Sequence, residues 1–123
     1  MDILIRNYYD GYEGEPEIQF IKGSIKGERK IISIWEGYFD DIMHQFQPGK
    51  HGWQGLAYYY NLDIGWEDDE YWEIPDLNEV LIEFNSLNTE KLQFKDSKNV
   101  LKEICDLICE AIDTNQNIYI CKD

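Results

Sequence analysis

Apolar positions recur along the chain with two periods, near two and near 3.6 residues, and the switches between them predict an order of elements. Residues 3–9, Ile-Leu-Ile-Arg-Asn-Tyr-Tyr, are rich in strand formers and read as a first strand. A punctuated stretch over 10–16, with Gly11, Gly14 and Pro16, predicts a loop. Residues 17–22 alternate polar and apolar, as a half-buried strand does. The polar segment to Lys30, with Gly23 and Gly27, predicts a hairpin connection to a return strand over 31–35.

The period then lengthens. Trp35, Tyr38, Phe39, Ile42 and Phe46 fall at helical spacing, which predicts a short helix over about 38–46, stopped by Pro48-Gly49. Residues 52–74 combine three glycines with dense aromatics and fit either a short helix over 54–61 or an aromatic-lined loop. Leu77, Val80, Leu81 and Phe84 form an i, i+3, i+4, i+7 stripe, with Pro75 suited to the first helical position. The longest stripe runs from Val100 through Ile112, predicting a helix over about 97–113 capped by Asp96 or Ser97. A last strand follows over 117–121. With no repeat or linker, these elements predict one α+β domain across residues 1–123. Its sheet is expected to be small and mostly antiparallel, packed with two or three helices.

Composition agrees with such a domain. A chain of 123 residues, 43% hydrophobic and 15% aromatic, holds enough apolar mass for one core. The start of the chain lacks a basic n-region and a long apolar run, and no stretch approaches the ~20 apolar residues of a membrane span. A cytoplasmic location is the expectation. The three cysteines, Cys105, Cys109 and Cys121, make a poor disulfide framework, and Cys105 and Cys109, four apart in a helical pattern, read as small hydrophobes.

Charge changes the picture more. The net charge is −14, which repels nucleic acid and anionic membranes and attracts cations. Between Lys50 and Lys91 there is no Lys or Arg, yet this gap holds Asp63, Glu67, Asp68, Asp69, Glu70, Glu73, Asp76, Glu79, Glu83 and Glu90. The rest of the chain carries fifteen acids against eleven bases. Most of the charge therefore lies in one third of the sequence.

Within that third, Trp66, Glu67, Asp68, Asp69, Glu70, Tyr71, Trp72 and Glu73 interleave aromatics with acids. Four consecutive carboxylates belong in water, where they steer a basic partner over about a Debye length, ~8–10 Å. Neighbouring Trp and Tyr supply anchors of the kind that dominate binding hot spots. These eight residues are the candidate partner-binding site. Alternatively, the run is a solvated loop pinned to the core by its aromatics.

Chemistry-bearing motifs are sparse. Asp40 and His44 stand four apart on the expected helix beside Asp41, a spacing compatible with a general base or a metal ligand. No HExxH, CxxC, GxSxG or Walker A pattern accompanies them. No catalytic, cofactor-binding or metal-binding residue is therefore assigned. A small hydrolase using Asp40, Asp41 or His44 stays open as an alternative. So does an adaptor that forms homo-oligomers through Tyr58, Tyr59 and Tyr60.

Trp35-Glu36-Gly37-Tyr38-Phe39-Asp40-Asp41, then Gly52-Trp53-Gln54-Gly55-Leu56-Ala57-Tyr58-Tyr59-Tyr60-Asn61, then Gly65-Trp66 through Trp72-Glu73-Ile74, resemble immunity proteins of bacterial contact-dependent growth inhibition and related polymorphic toxin systems. The resemblance covers about residues 35–85. It implies an antitoxin-like, non-enzymatic cytosolic inhibitor that binds one cognate toxin domain, often a nuclease, as a monomer in a one-to-one complex. It implies no cofactor and no catalytic residue. A nuclease that grips a polyanion tends to be basic, so an acidic inhibitor suits it.

Overall fold

The computed structural model describes residues 2–23, 27–66 and 71–123. Strands β1 (Asp2–Tyr8), β2 (Glu17–Lys22) and β3 (Arg29–Trp35) precede helices α1 (Glu36–Met43) and α2 (Gly55–Asn61). A two-residue strand β4 (Trp72–Glu73), helix α3 (Leu77–Asn85) and a 3₁₀ turn (Thr89–Lys91) follow. Helix α4 (Ser97–Asp113) and strand β5 (Ile118–Lys122) complete the α+β fold. Four α-helices among the described residues slightly exceed the two or three expected.

The sheet has the order β1-β3-β2-β5-β4. The β2–β3 hairpin is antiparallel, as the alternation predicts, and β5 adds antiparallel to β2. β1 instead lies parallel to β3, with an irregularity in register between Leu4 and Arg6. The connection over 9–16 must therefore pass β3 to reach β2. Aromatic contacts hold that crossing: Tyr12 stacks on Trp35 with centroids 4.3 Å apart and planes 4° apart. The Tyr12 and Tyr38 hydroxyls lie 2.9 Å from each other. Gly37 makes room for this stack, because a Cβ there would stand 2.3 Å from the Trp35 ring.

Alternation assigns the two faces of the sheet. Ile18 and Phe20 of β2, Ile32 and Ile34 of β3, and Ile118 and Ile120 of β5 are buried in the main core with the helices. The opposite face carries Glu17, whose carboxylate accepts from the Gln19 amide and the Ser33 hydroxyl. Helix α4 buries Val100, Leu101, Ile104, Leu107, Ile108 and Ala111, matching its stripe. It ends where Asn115 adopts φ 54° and the Gln116 N–H reaches the Ala111 carbonyl at 2.8 Å, an αL termination.

Several local expectations are corrected. Helix α1 begins directly after β3 and stops at Met43, earlier at both ends than the spacing suggests. Of the two alternatives left open for 54–61, the chain takes the helix, over Gly55–Asn61. Pro75 does not open α3. Asp76 takes the cap and accepts from the Glu79 N–H at 3.1 Å, which leaves Pro75 outside the helix. Neither Asp96 nor Ser97 caps α4 with its side chain. Asp96 already has helical φ and ψ, and the Ser97 hydroxyl is turned inward to Asp41. Cys109 is exposed, while Cys105 and Cys121 are half-buried. Burial pushes the Cys105 thiol up to about 11, so it stays protonated near neutrality. Among the described residues, no helix is long and apolar enough to cross a membrane.

Candidate functional site

Helix α2 lies within the acidic third, ahead of its first acid, Asp63. Its start is fixed by a carboxylate from the next helix: Glu83 accepts from the Leu56 N–H at 2.9 Å and the Ala57 N–H at 3.2 Å. The free N–H groups and positive end of a helix favour such a group. Gly55 is needed there, since it adopts φ 58° and a Cβ would lie 2.7 Å from Glu83 Oε1. Burial raises the Glu83 carboxyl above its usual range, opposed by its two N–H donors and reinforced by the charge of Glu79.

An aromatic wall runs behind α2. The Trp66 ring packs edge-on to Phe39 at 5.5 Å and to Trp72 at 5.3 Å, and lies near Tyr60 at 6.5 Å. Trp72 also meets Tyr59 at 4.9 Å. Gly65, at φ 118°, lets the Trp72 indole lie 3.0 Å from where its Cβ would be.

This wall sorts the eight candidate binding residues. Trp66 is only 3% exposed and belongs to the core, so the expected surface anchor is instead a packing residue. Trp72 is half-buried and Glu73 exposed on β4. Tyr71 is 48% exposed, with the Arg29 guanidinium carbon 5.7 Å from its ring centroid. Glu67, Asp68, Asp69 and Glu70 lie outside the described residues. Chain spacing alone cannot separate Trp66 from Tyr71, because burial depends on Phe39 arriving from α1.

A cleft of about 370 Å³ opens between α1 and the C-terminal half of α2. Glu36, Asp40, Tyr60, Asp63 and Lys122 line it. The Tyr60 hydroxyl donates to Asp40 Oδ1 at 2.9 Å and lies 3.1 Å from His44 Nε2. Lys122 Nζ pairs with Glu36 at 2.8 Å. Asp40 and His44 are thus brought together through Tyr60, although His44 itself is exposed. Burial raises the Asp40 carboxyl, opposed by the Tyr60 hydrogen bond and reinforced by the charge of Glu36. Burial likewise raises the Tyr60 hydroxyl, helped by its bond to Asp40.

Asp41 does not join them. It is 5% exposed and points the other way, accepting from the Gln93 and Phe94 N–H groups and from the Ser97 hydroxyl. The three candidate groups of the hydrolase alternative therefore divide into a half-buried Asp40 near an exposed His44 and a buried structural carboxylate. Tyr58 is exposed, at 42%, whereas Tyr59 and Tyr60 are half-buried. Among the described residues, no cluster of three His, Cys, Asp or Glu side chains is arranged to hold a metal ion.

Asp40 yields a pH-dependent expectation. Its folded pKa lies above the ordinary value of 3.8, so protonation favours the fold and its charge opposes it. That contribution is fully present below the ordinary value and lost as pH rises through the folded one. Asp40→Asn keeps an acceptor for Tyr60 and removes the charge. Urea unfolding should show the variant more stable than wild type at pH 7, with the gap closing below about pH 4. A gap that widens on acidification would contradict the assignment.

No family model matches the chain, and no similar protein emerges from the curated proteins or from the solved structures.

Proposed function

We propose that this protein acts by binding a basic protein partner, in the manner of an immunity protein that neutralises a toxin domain. Charge segregation carries the reading. Among the described residues, six ion pairs join Arg6, Lys22, Arg29, Lys30, Lys102 and Lys122 to Glu103, Glu110, Asp2, Asp106 or Glu36, all outside the acidic third. Among the described residues, no ion pair neutralises Asp63, Glu73, Asp76, Glu79, Glu83 or Glu90. Residues 51–90 supply no Lys or Arg themselves, so these described carboxylates add to one negative field. Such a field costs stability by self-repulsion and speeds encounter with a positive partner.

The resemblance over residues 35–85 narrows the partner to a toxin domain, and polyanion-binding nucleases are the basic class. The one-to-one complex would form in the cytoplasm, with no nucleic acid, membrane or cofactor taking part. The exposed members of the candidate run, Tyr71 and Glu73, with half-buried Trp72 and the acids 67–70, would supply its contact surface.

Co-purification with the C-terminal domain encoded by the neighbouring upstream reading frame tests this. A one-to-one complex and suppression of that domain's toxicity are expected. Replacing the four acids 67–70 by serine should slow association roughly tenfold at low salt and flatten its salt dependence. Failure of the wild-type pair to associate would remove the toxin reading. An unchanged on-rate and salt slope would remove residues 67–70 as the steering surface.

A further inference from the structure

A second depression lies away from the candidate run. It is a groove of about 600 Å³ between the start of α2 and the outer face of α3. One wall is the α3 face formed by Glu79, Ile82, Glu83 and Ser86, which share that side at i, i+3, i+4 and i+7. The other wall is nearly bare backbone, where Gly49 and Gly52 pair through N–H to carbonyl bonds of 2.9 and 3.1 Å and Gly55 follows. Phe46 and Ala57, both buried, contribute apolar floor.

Ile82 is the anomaly. It lies off the α3 stripe, on the polar face, and is 72% exposed, more than any other large apolar side chain among those described. The fold gives it no core to join. Asp76, Glu79 and Glu83 line the groove with it, and among the described residues no Lys or Arg lines the same space. Burial and the charge of Glu79 raise Glu83, so an incoming cation would find a carboxylate that gains from being neutralised.

We infer that the α2–α3 groove is a docking site for a protein segment that places an aliphatic side chain on Ile82 and an Arg or Lys against Asp76, Glu79 and Glu83. Charge complementarity selects this occupant. A second copy of a chain at −14 would be repelled, whereas a basic segment supplies the missing cations. The aliphatic contact removes an exposed apolar surface from water, and the carboxylates fix the segment's direction. The inference rests on the basic-partner reading and assigns that partner a site outside residues 66–73.

The probe is the synthetic peptide Ac-Arg-Leu-Lys-Leu-Arg-NH₂, titrated into the full chain and followed by amide and methyl NMR. The largest shifts are expected at the Ile82 methyls and the Gly52 and Gly55 amides. Ile82→Ser and Glu79→Gln, both at exposed positions, should each weaken binding at least fivefold. Leu4→Ser, at an apolar side chain 52% exposed on β1, should leave it unchanged. A peptide with Ser for Leu should lose the Ile82 shifts. Shifts spread evenly over acidic residues, or equal affinity for Ile82→Ser, would overturn the groove assignment even if the toxin complex forms. Groove-centred shifts without a toxin complex would sustain the groove and sink the toxin identity.

Discussion

Asp41→Ala is expected to destabilise the fold by about 3–4 kcal/mol, a large share of the ~5–15 kcal/mol that holds a domain of this size together. The carboxylate accepts from the Gln93 N–H at 2.9 Å, the Phe94 N–H at 3.0 Å and the Ser97 hydroxyl at 2.6 Å. Alanine would leave three donors around a site 5% exposed without their acceptor, and each such loss costs about 1–3 kcal/mol before water relieves it. The contact also fixes the segment before α4 to α1, across more than fifty positions of sequence. Asp41→Asn retains one oxygen and should recover roughly half of the loss. Urea unfolding measures both, and hydrogen exchange at the Gln93 and Phe94 amides reports the local opening. A loss below about 1 kcal/mol for the alanine variant would show that these hydrogen bonds are replaced by water.

The same carboxylate gives the opposite pH sign to Asp40. Burial pushes Asp41 upward, but the Ser97 hydroxyl and the Phe94 and Gln93 N–H groups outweigh it, so its pKa falls below the ordinary 3.8. Its stabilisation is fully present above that ordinary value and lost as pH falls through the folded one. The penalty of Asp41→Asn should therefore shrink in acid, while the benefit of Asp40→Asn also disappears there. Two adjacent aspartates with the same sequence environment thus have opposite electrostatic roles, set by the groups each one faces.

Phe39→Ala is expected to cost about 3–5 kcal/mol and to lower the unfolding temperature by about 10–20 °C. Phe39 is 1% exposed and its ring meets Phe20 at 5.7 Å, Tyr60 at 5.9 Å and Trp66 at 5.5 Å. It therefore joins the sheet, α2 and the aromatic wall. Its loss should loosen the seat of Trp66 and the Tyr60–Asp40 contact together, seen as a shifted Trp66 indole N–H and a changed Asp40 titration. Phe39→Leu keeps most of the volume and should cost less than half as much. If the alanine variant lost stability but left the Trp66 and Tyr60 signals in place, the wall would be seated independently of α1.

Much of this fold was legible in the chain. The β2–β3 hairpin, the stripes of α3 and α4 and the last strand follow from periodicity, because each buries one face and that face must repeat at the pitch of its backbone. The capping of α3 was less legible. Pro75 and Asp76 both suit a helix start, and the Asp76 carboxylate bonding to the Glu79 N–H decides between them. The two-residue β4 was invisible, since its strand character comes only from pairing with Ile120 and Tyr119.

The candidate site divides in the same way. Ile82 left a signal in the sequence, namely an apolar residue off the stripe of an amphipathic helix. Asp41 left none, for its partners lie more than fifty residues away and are mostly backbone N–H groups.

The sequence by itself determined the acidic third and the density of aromatics within it, because charge and composition need no neighbours to be counted. The tertiary structure decided which of those groups face water. It buried Trp66 against Phe39 and left Tyr71 and Ile82 outside. Among the described residues, it also formed six ion pairs on acids outside that third. Exposure and compensation depend on which distant residues the chain brings alongside, and that is settled only when the helices pack on the sheet.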